Sequence, residues 1–138
     1  MSTRRDVLKG GLATVVTTSL GACEDEVAPP DGLVVLPLTE APELATVGGW
    51  VTHSVTSIFI LLIARVDDAT VIALDALCTH QQCVLNYRPD ERDLSCRCHG
   101  STFTEQGIVT RGPAERSLGR YQTTFDGEVV TVDLLTPG

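Results

Sequence analysis

From residue 33 onward the chain alternates short apolar runs with turn residues. The runs "LVVLPL" (33–38), "SIFILLIARV" (57–66) and "TVIALDAL" (70–77) are rich in β-branched side chains, which suit the pleated, half-buried surface of a strand. Asp67-Asp68 separates the second run from the third as a turn. "VLNY" (84–87) and "DLSC" (93–96) flank "RPDER", a second turn. "YQTTF" and "VVTVDL" flank Asp126-Gly127, a hairpin signal. "GWVTHSV" adds a further strand. The ten residues of "SIFILLIARV" fall short of the roughly 20 apolar residues that span a bilayer. Their turn borders predict a strand buried on both faces. No convincing helix and no internal repeat of about 20–50 residues is present. The pattern predicts one small all-β domain of antiparallel strands over residues 33–138. Trp50, Phe59, Tyr87 and Phe125 are expected to pack, and the lone His53 is expected to be structural or exposed.

The first 32 residues differ from this pattern. "MSTRRDVLKG" is charged and leads into the short apolar run "GLATVVTTSLGAC", the layout of an export signal. Thr3-Arg4-Arg5-Asp6-Val7-Leu8-Lys9 resembles a twin-arginine signal, with Val7 where phenylalanine is usual. Leu20-Gly21-Ala22-Cys23 resembles a bacterial lipobox. These resemblances imply export across residues 1–22, lipidation of Cys23, and a protein held on the periplasmic side of a membrane. Multiple acyl chains anchor firmly where one does not. Residues 23–32, acidic and carrying Pro29-Pro30, read as a tether without apolar periodicity.

Charge narrows the partners. The 138 residues carry a net charge of −8. The first 22 hold Arg4, Arg5 and Lys9 against Asp6, so the remainder stands at −10, with seven arginines and no lysine. That balance excludes nucleic acid, whose phosphates require cations. It suits a basic protein partner, or simply keeps the protein soluble.

The chemistry is concentrated in two boxes, "CTHQQC" (78–83) and "CRCHGS" (96–101). They offer Cys78, His80 and Cys83, then Cys96, Cys98 and His99. Thiolate and imidazole select zinc, copper or iron–sulfur over hard cations. A structural zinc takes four ligands, with two to four residues inside each pair. Only one residue separates Cys78 from His80, and six candidates leave two over.

The order Cys78-x-His80, then Cys96-x-x-His99, resembles the Rieske [2Fe–2S] family. The resemblance implies one cluster, with Cys78 and Cys96 on the inner iron and His80 and His99 on the more exposed one. It implies a disulfide between Cys83 and Cys98, as in the high-potential branch. Ser101 is then expected to bond a cluster sulfide. Phe103 stands where a tyrosine would bond a ligand cysteine, which implies a potential on the order of +100 to +200 mV. Gly112-Pro113-Ala114 resembles the proline loop that covers the cluster, with Glu115 in place of a second proline. Quinol-oxidising members read Leu-Gly where this chain has Gln81-Gln82. Gln81 makes the docking surface more polar.

The function implied is one-electron transfer by a tethered periplasmic carrier or small oxidoreductase subunit. The arsenite oxidase small subunit is one pattern for it. Its partner would be a c-type cytochrome or a larger subunit. The alternatives are the Rieske subunit of a quinol:cytochrome c reductase, and a non-redox binding module stabilised by metal. No independent catalytic residue is evident outside the boxes.

Overall fold

The computed structural model describes residues 32–138. The signal, the lipobox with Cys23, and most of the tether lie outside the described residues. Ten strands form two antiparallel sheets.

The larger sheet holds β1 (Leu33–Pro37), β2 (Trp50–Ser54), β3 (Ile60–Arg65), β4 (Val71–Asp75), β9 (Arg120–Phe125) and β10 (Val129–Pro137). Their order is β1-β10-β9-β4-β3-β2. The smaller sheet is a meander of β5 (Asn86–Arg88), β6 (Asp93–Ser95), β7 (Thr102–Thr104) and β8 (Val109–Arg111). A short 3-10 turn at Pro42–Ala45, not anticipated from the sequence, buries Leu44.

Strands β3 and β4 are the spine, and their side chains alternate between two cores. Leu62, Ala64, Ile72 and Leu74 pack with Leu85, Tyr87, Leu94 and Phe103 of the smaller sheet region. Leu61, Ile63, Val71 and Ala73 pack on the other side with Val34, Leu36, Val130 and Val132. Both faces of β3 are therefore buried, as its unbroken apolar run predicts. The run starts too early, however. Residues 56–59 form the β2–β3 turn, where Thr56 Oγ1 accepts from the Phe59 amide at 3.0 Å and Ile58 stands 84% exposed.

The turns follow their sequence signals. Asp67 Oδ1 accepts the Ala69 and Thr70 amides, and Asp126 Oδ1 accepts those of Glu128 and Val129. These are the local side-chain bonds that make aspartate a turn residue. Strands β7 and β8 were missed, because each has three residues and one apolar member facing inward.

The smaller sheet grows out of β4. After Ala76 and Leu77 the chain enters the first box, and a bridge between Leu77 and Val84 closes its neck. The β5–β6 hairpin carries it to the second box, and β7–β8 carries it to residues 112–118. Both boxes and the 112–118 loop therefore lie at one end of the smaller sheet. Turns 89–92 and 105–108 lie at the other end.

Candidate metal centre

The two boxes fold into the same backbone turn. In the first, the Cys78 amide donates to the Cys83 carbonyl and the Gln82 amide donates to the Cys78 carbonyl, both at 2.8 Å. In the second, the Cys96 amide donates to the Ser101 carbonyl at 2.8 Å and the Gly100 amide to the Cys96 carbonyl at 3.0 Å. The fifth residue of each turn is left-handed, Gln82 at φ 56 and Gly100 at φ 82. Each turn thus opens on a cysteine held by a backbone bond at both its N–H and its C=O.

The candidates sit differently within that repeat. Cys78 and Cys96 occupy equivalent first positions and are 1% and 3% exposed. His80 and His99 sit third and fourth in their turns, and both are exposed. Their rings meet edge to face with centroids 5.0 Å apart. Cys83 and Cys98 form a disulfide that cross-links the turns. The sulfurs of Cys83, Cys96 and Cys98 lie within 4.8 Å of one another. Those three cannot serve together as thiolate ligands, because two of the sulfurs are already bonded to each other. The remaining cysteines among the described residues, Cys78 and Cys96, are free.

The 112–118 loop is tied to both turns. Ser101 is fully buried, and its Oγ accepts the Ala114 amide at 2.9 Å. The hydroxyl proton is left to donate elsewhere. Thr79 Oγ1 donates to the Arg116 carbonyl at 2.6 Å. Pro113 borders a cleft of about 440 Å³ together with Thr79, His80, Glu115 and Arg116. The Thr79–Arg116 link was not foreseen, since nothing in the sequence pairs residues 37 apart.

Phe103 lies behind the second box, fully buried and opposite Leu94. Gln81 is exposed beside His80. At the far end of the smaller sheet, Tyr87 donates to Glu105 at 2.6 Å and Arg92 clamps the same carboxylate. Burial, then the bond to Glu105, pushes the Tyr87 hydroxyl well above its usual range.

Two buried free thiols lie on the disulfide-linked loops that carry the paired, exposed imidazoles. This donor set fits a cluster that takes sulfur on one iron and nitrogen on the other. Residues 36–122 match the family model of the Rieske [2Fe-2S] domain, and the chain belongs to that family. Membership gives it one Rieske-type [2Fe–2S] cluster, and the nearly all-β fold agrees.

Over 57 residues the chain is 46% identical to the cytochrome b6-f complex iron-sulfur subunit of Synechococcus sp. (strain JA-3-3Ab), covering 41% of this chain and 33% of that one. Over 63 residues it is 43% identical to the chloroplastic subunit of Pisum sativum, covering 44% and 27%. The match thus spans about a third or less of these curated relatives. Among solved structures, the plasma membrane Rieske protein of Synechocystis PCC 6803 matches with a TM-score of 0.57 at 24% identity, covering 72% of this chain and 97% of that one. A hyperthermophilic respiratory Complex III chain matches at 0.54 and 21%, covering 82% of each. At these identities the two structures support the fold alone.

Proposed function

We propose that the protein transfers single electrons through its cluster, with Cys78 and Cys96 holding one iron and His80 and His99 the other. The observation that carries this is the exposed edge-to-face pair of His80 and His99, on the two cross-linked turns that also hold buried, free Cys78 and Cys96. Bound there, the cluster supplies a reversible one-electron couple. The chain does the rest. Backbone bonds fix both cysteines, and the Cys83–Cys98 disulfide keeps the loops in register. Ser101 holds the Pro113 loop against the second box, and its remaining hydroxyl proton would be available to donate to a cluster sulfide. Phe103 supplies bulk and no donor. The imidazoles present the edge at which a partner docks.

The carrier is held to the membrane through lipidated Cys23, after twin-arginine export to the periplasmic side. Its partner is a c-type cytochrome or a larger oxidoreductase subunit. A second reading, as the Rieske subunit of a quinol:cytochrome c reductase, is favoured by the likeness to cytochrome b6-f subunits. Gln81 and Gln82 speak against it, since they place amides where apolar cover is expected.

The test is spectroscopic. Anaerobically purified protein is expected to show visible absorption and, once reduced, a rhombic EPR signal with average g below 2. Cys78→Ser and His99→Ala are expected to lose both while the polypeptide is still produced. Wild-type protein lacking both signals sinks the redox reading and leaves a metal-stabilised module. Fractionation then tests the anchor, because Cys23→Ala should move the protein from membranes to the soluble periplasm.

A further inference from the structure

Net charge conceals an asymmetry. The larger-sheet body outside residues 76–119 carries eight carboxylates against Arg65 and Arg120 over residues 33–138. Residues 76–119 carry five of each sign. Their carboxylates are mostly spent away from the boxes. Arg88 pairs with Asp93 and Glu91, and Arg92 with Glu105. Asp90 shares the 89–92 turn, at the far end of the sheet.

Three arginines remain, and all are at the box end. Arg97 stands between Cys96 and Cys98. Arg111 ends β8, opposite Thr102. Arg116 shares two clefts with His80. All three are exposed, and none makes an ion pair among the described residues. Among the described residues, Glu115 is the one carboxylate beside them without an ion pair. Asp75 borders one of these clefts too, but it accepts from Tyr121 and Gly119.

We propose that the face around His80 and His99 is a basic docking surface, and that it fits a redox protein whose own electron-transfer edge is rimmed by carboxylates. This rests on the electron-transfer reading above and adds the partner's charge. The basic partner suggested by the total charge would meet the wrong sign here. Charges act over roughly 10 Å at 0.1 M salt, so the arginines at the tip outweigh carboxylates at the base once a partner is close. The body's acidity then turns the molecule, steering the tip toward a negative partner.

Small charged oxidants of opposite sign test the local field. Reduced full-length holoprotein is mixed in a stopped-flow instrument with ferricyanide or with tris(phenanthroline)cobalt(III), and the return of the oxidised cluster's visible absorption is followed from 10 to 200 mM salt. With ferricyanide the rate is expected to fall about three- to tenfold over that range, whereas with the cobalt complex it should rise. R97Q/R111Q/R116Q should flatten both slopes, and E115Q should steepen the ferricyanide slope. Each variant's potential is measured alongside, so that driving force is separated from encounter.

A ferricyanide rate that climbs with salt overturns the proposal while leaving the electron-transfer reading intact. Absence of any return of the cluster's absorption with either oxidant removes both. A ferricyanide slope that appears only in E24Q/D25N/E26Q overturns it as well, since the acidic tether would then be what covers the arginines.

Discussion

The paired turns give a direct test of local energetics, by exchanging their fifth residues. Gln82 holds φ 56 with an exposed side chain, and its equivalent Gly100 holds φ 82. A left-handed L-residue costs roughly 1–2 kcal/mol, and glycine gives back about 0.5–1 kcal/mol through its freer unfolded chain. Gln82→Gly should therefore stabilise by about 0.5–1 kcal/mol. For a domain of this size, that is a midpoint rise of roughly 2–6 °C. A Cβ built at Gly100 meets nothing within 4 Å, so Gly100→Gln should lower the midpoint by a similar amount through backbone alone. The double exchange should return to the parent within about 0.5 kcal/mol where the two turns act independently, and a larger residual measures their coupling across the disulfide. The assay is far-UV circular dichroism of the holoproteins at one scan rate, with visible absorption recorded to follow cluster loss. An unchanged or lowered midpoint for Gln82→Gly would falsify the claim that the first box carries backbone strain.

Four further outcomes are expected. Ser101→Ala leaves the buried Ala114 amide without its acceptor, so it should cost about 1–3 kcal/mol, lower the potential and speed cluster loss. An unchanged potential removes the sulfide bond assigned to Ser101. Phe103→Tyr should raise the potential by about 40 mV, taking roughly 1 kcal/mol for one donor to sulfur. Stability lost with no rise in a redox titration would show a hydroxyl stranded in the core. Tyr87→Phe removes one donor from Glu105 while Arg92 stays, and denaturant titration should show a loss of about 1 kcal/mol. The Asp126 carboxyl is held below its usual range by the Glu128 and Val129 amides. Its contribution is therefore present above the unfolded pKa and is lost as pH falls through the folded one. The stability gap between wild type and Asp126→Asn should be constant above about pH 5 and close below about pH 4, and a gap that persists in acid contradicts that linkage.

Legibility in the sequence followed the physics of each element. Strands β3 and β4 were visible because both faces are buried, which forces unbroken apolar runs. Asp67 and Asp126 were visible because turn chemistry is local. Strands β7 and β8 were invisible because three-residue strands offer no period to read, and because Thr102 and Thr104 are only half buried. The soft-ligand boxes stood out through residue type alone. Their common turn did not, since one uses Gln82 where the other uses Gly100 and nothing in the letters equates the two.

That mismatch bears on function. A non-glycine residue in the left-handed region is retained only where something offsets its cost. The turn itself does not need Gln82, because Gly100 makes the same bond in the second box. Gln82 does line a cleft with His80 and Arg116, on the face where a partner would dock. Neighbouring Gln81 is exposed on the same turn. Amides here and three unpaired arginines around them make a wet, cationic rim. Such a rim favours brief, salt-sensitive encounters over the dry seating of an apolar quinol. If so, Gln81→Leu with Gln82→Gly should raise stability yet slow transfer to an acidic protein acceptor. Faster transfer from that variant would return the protein to the quinol-oxidising reading.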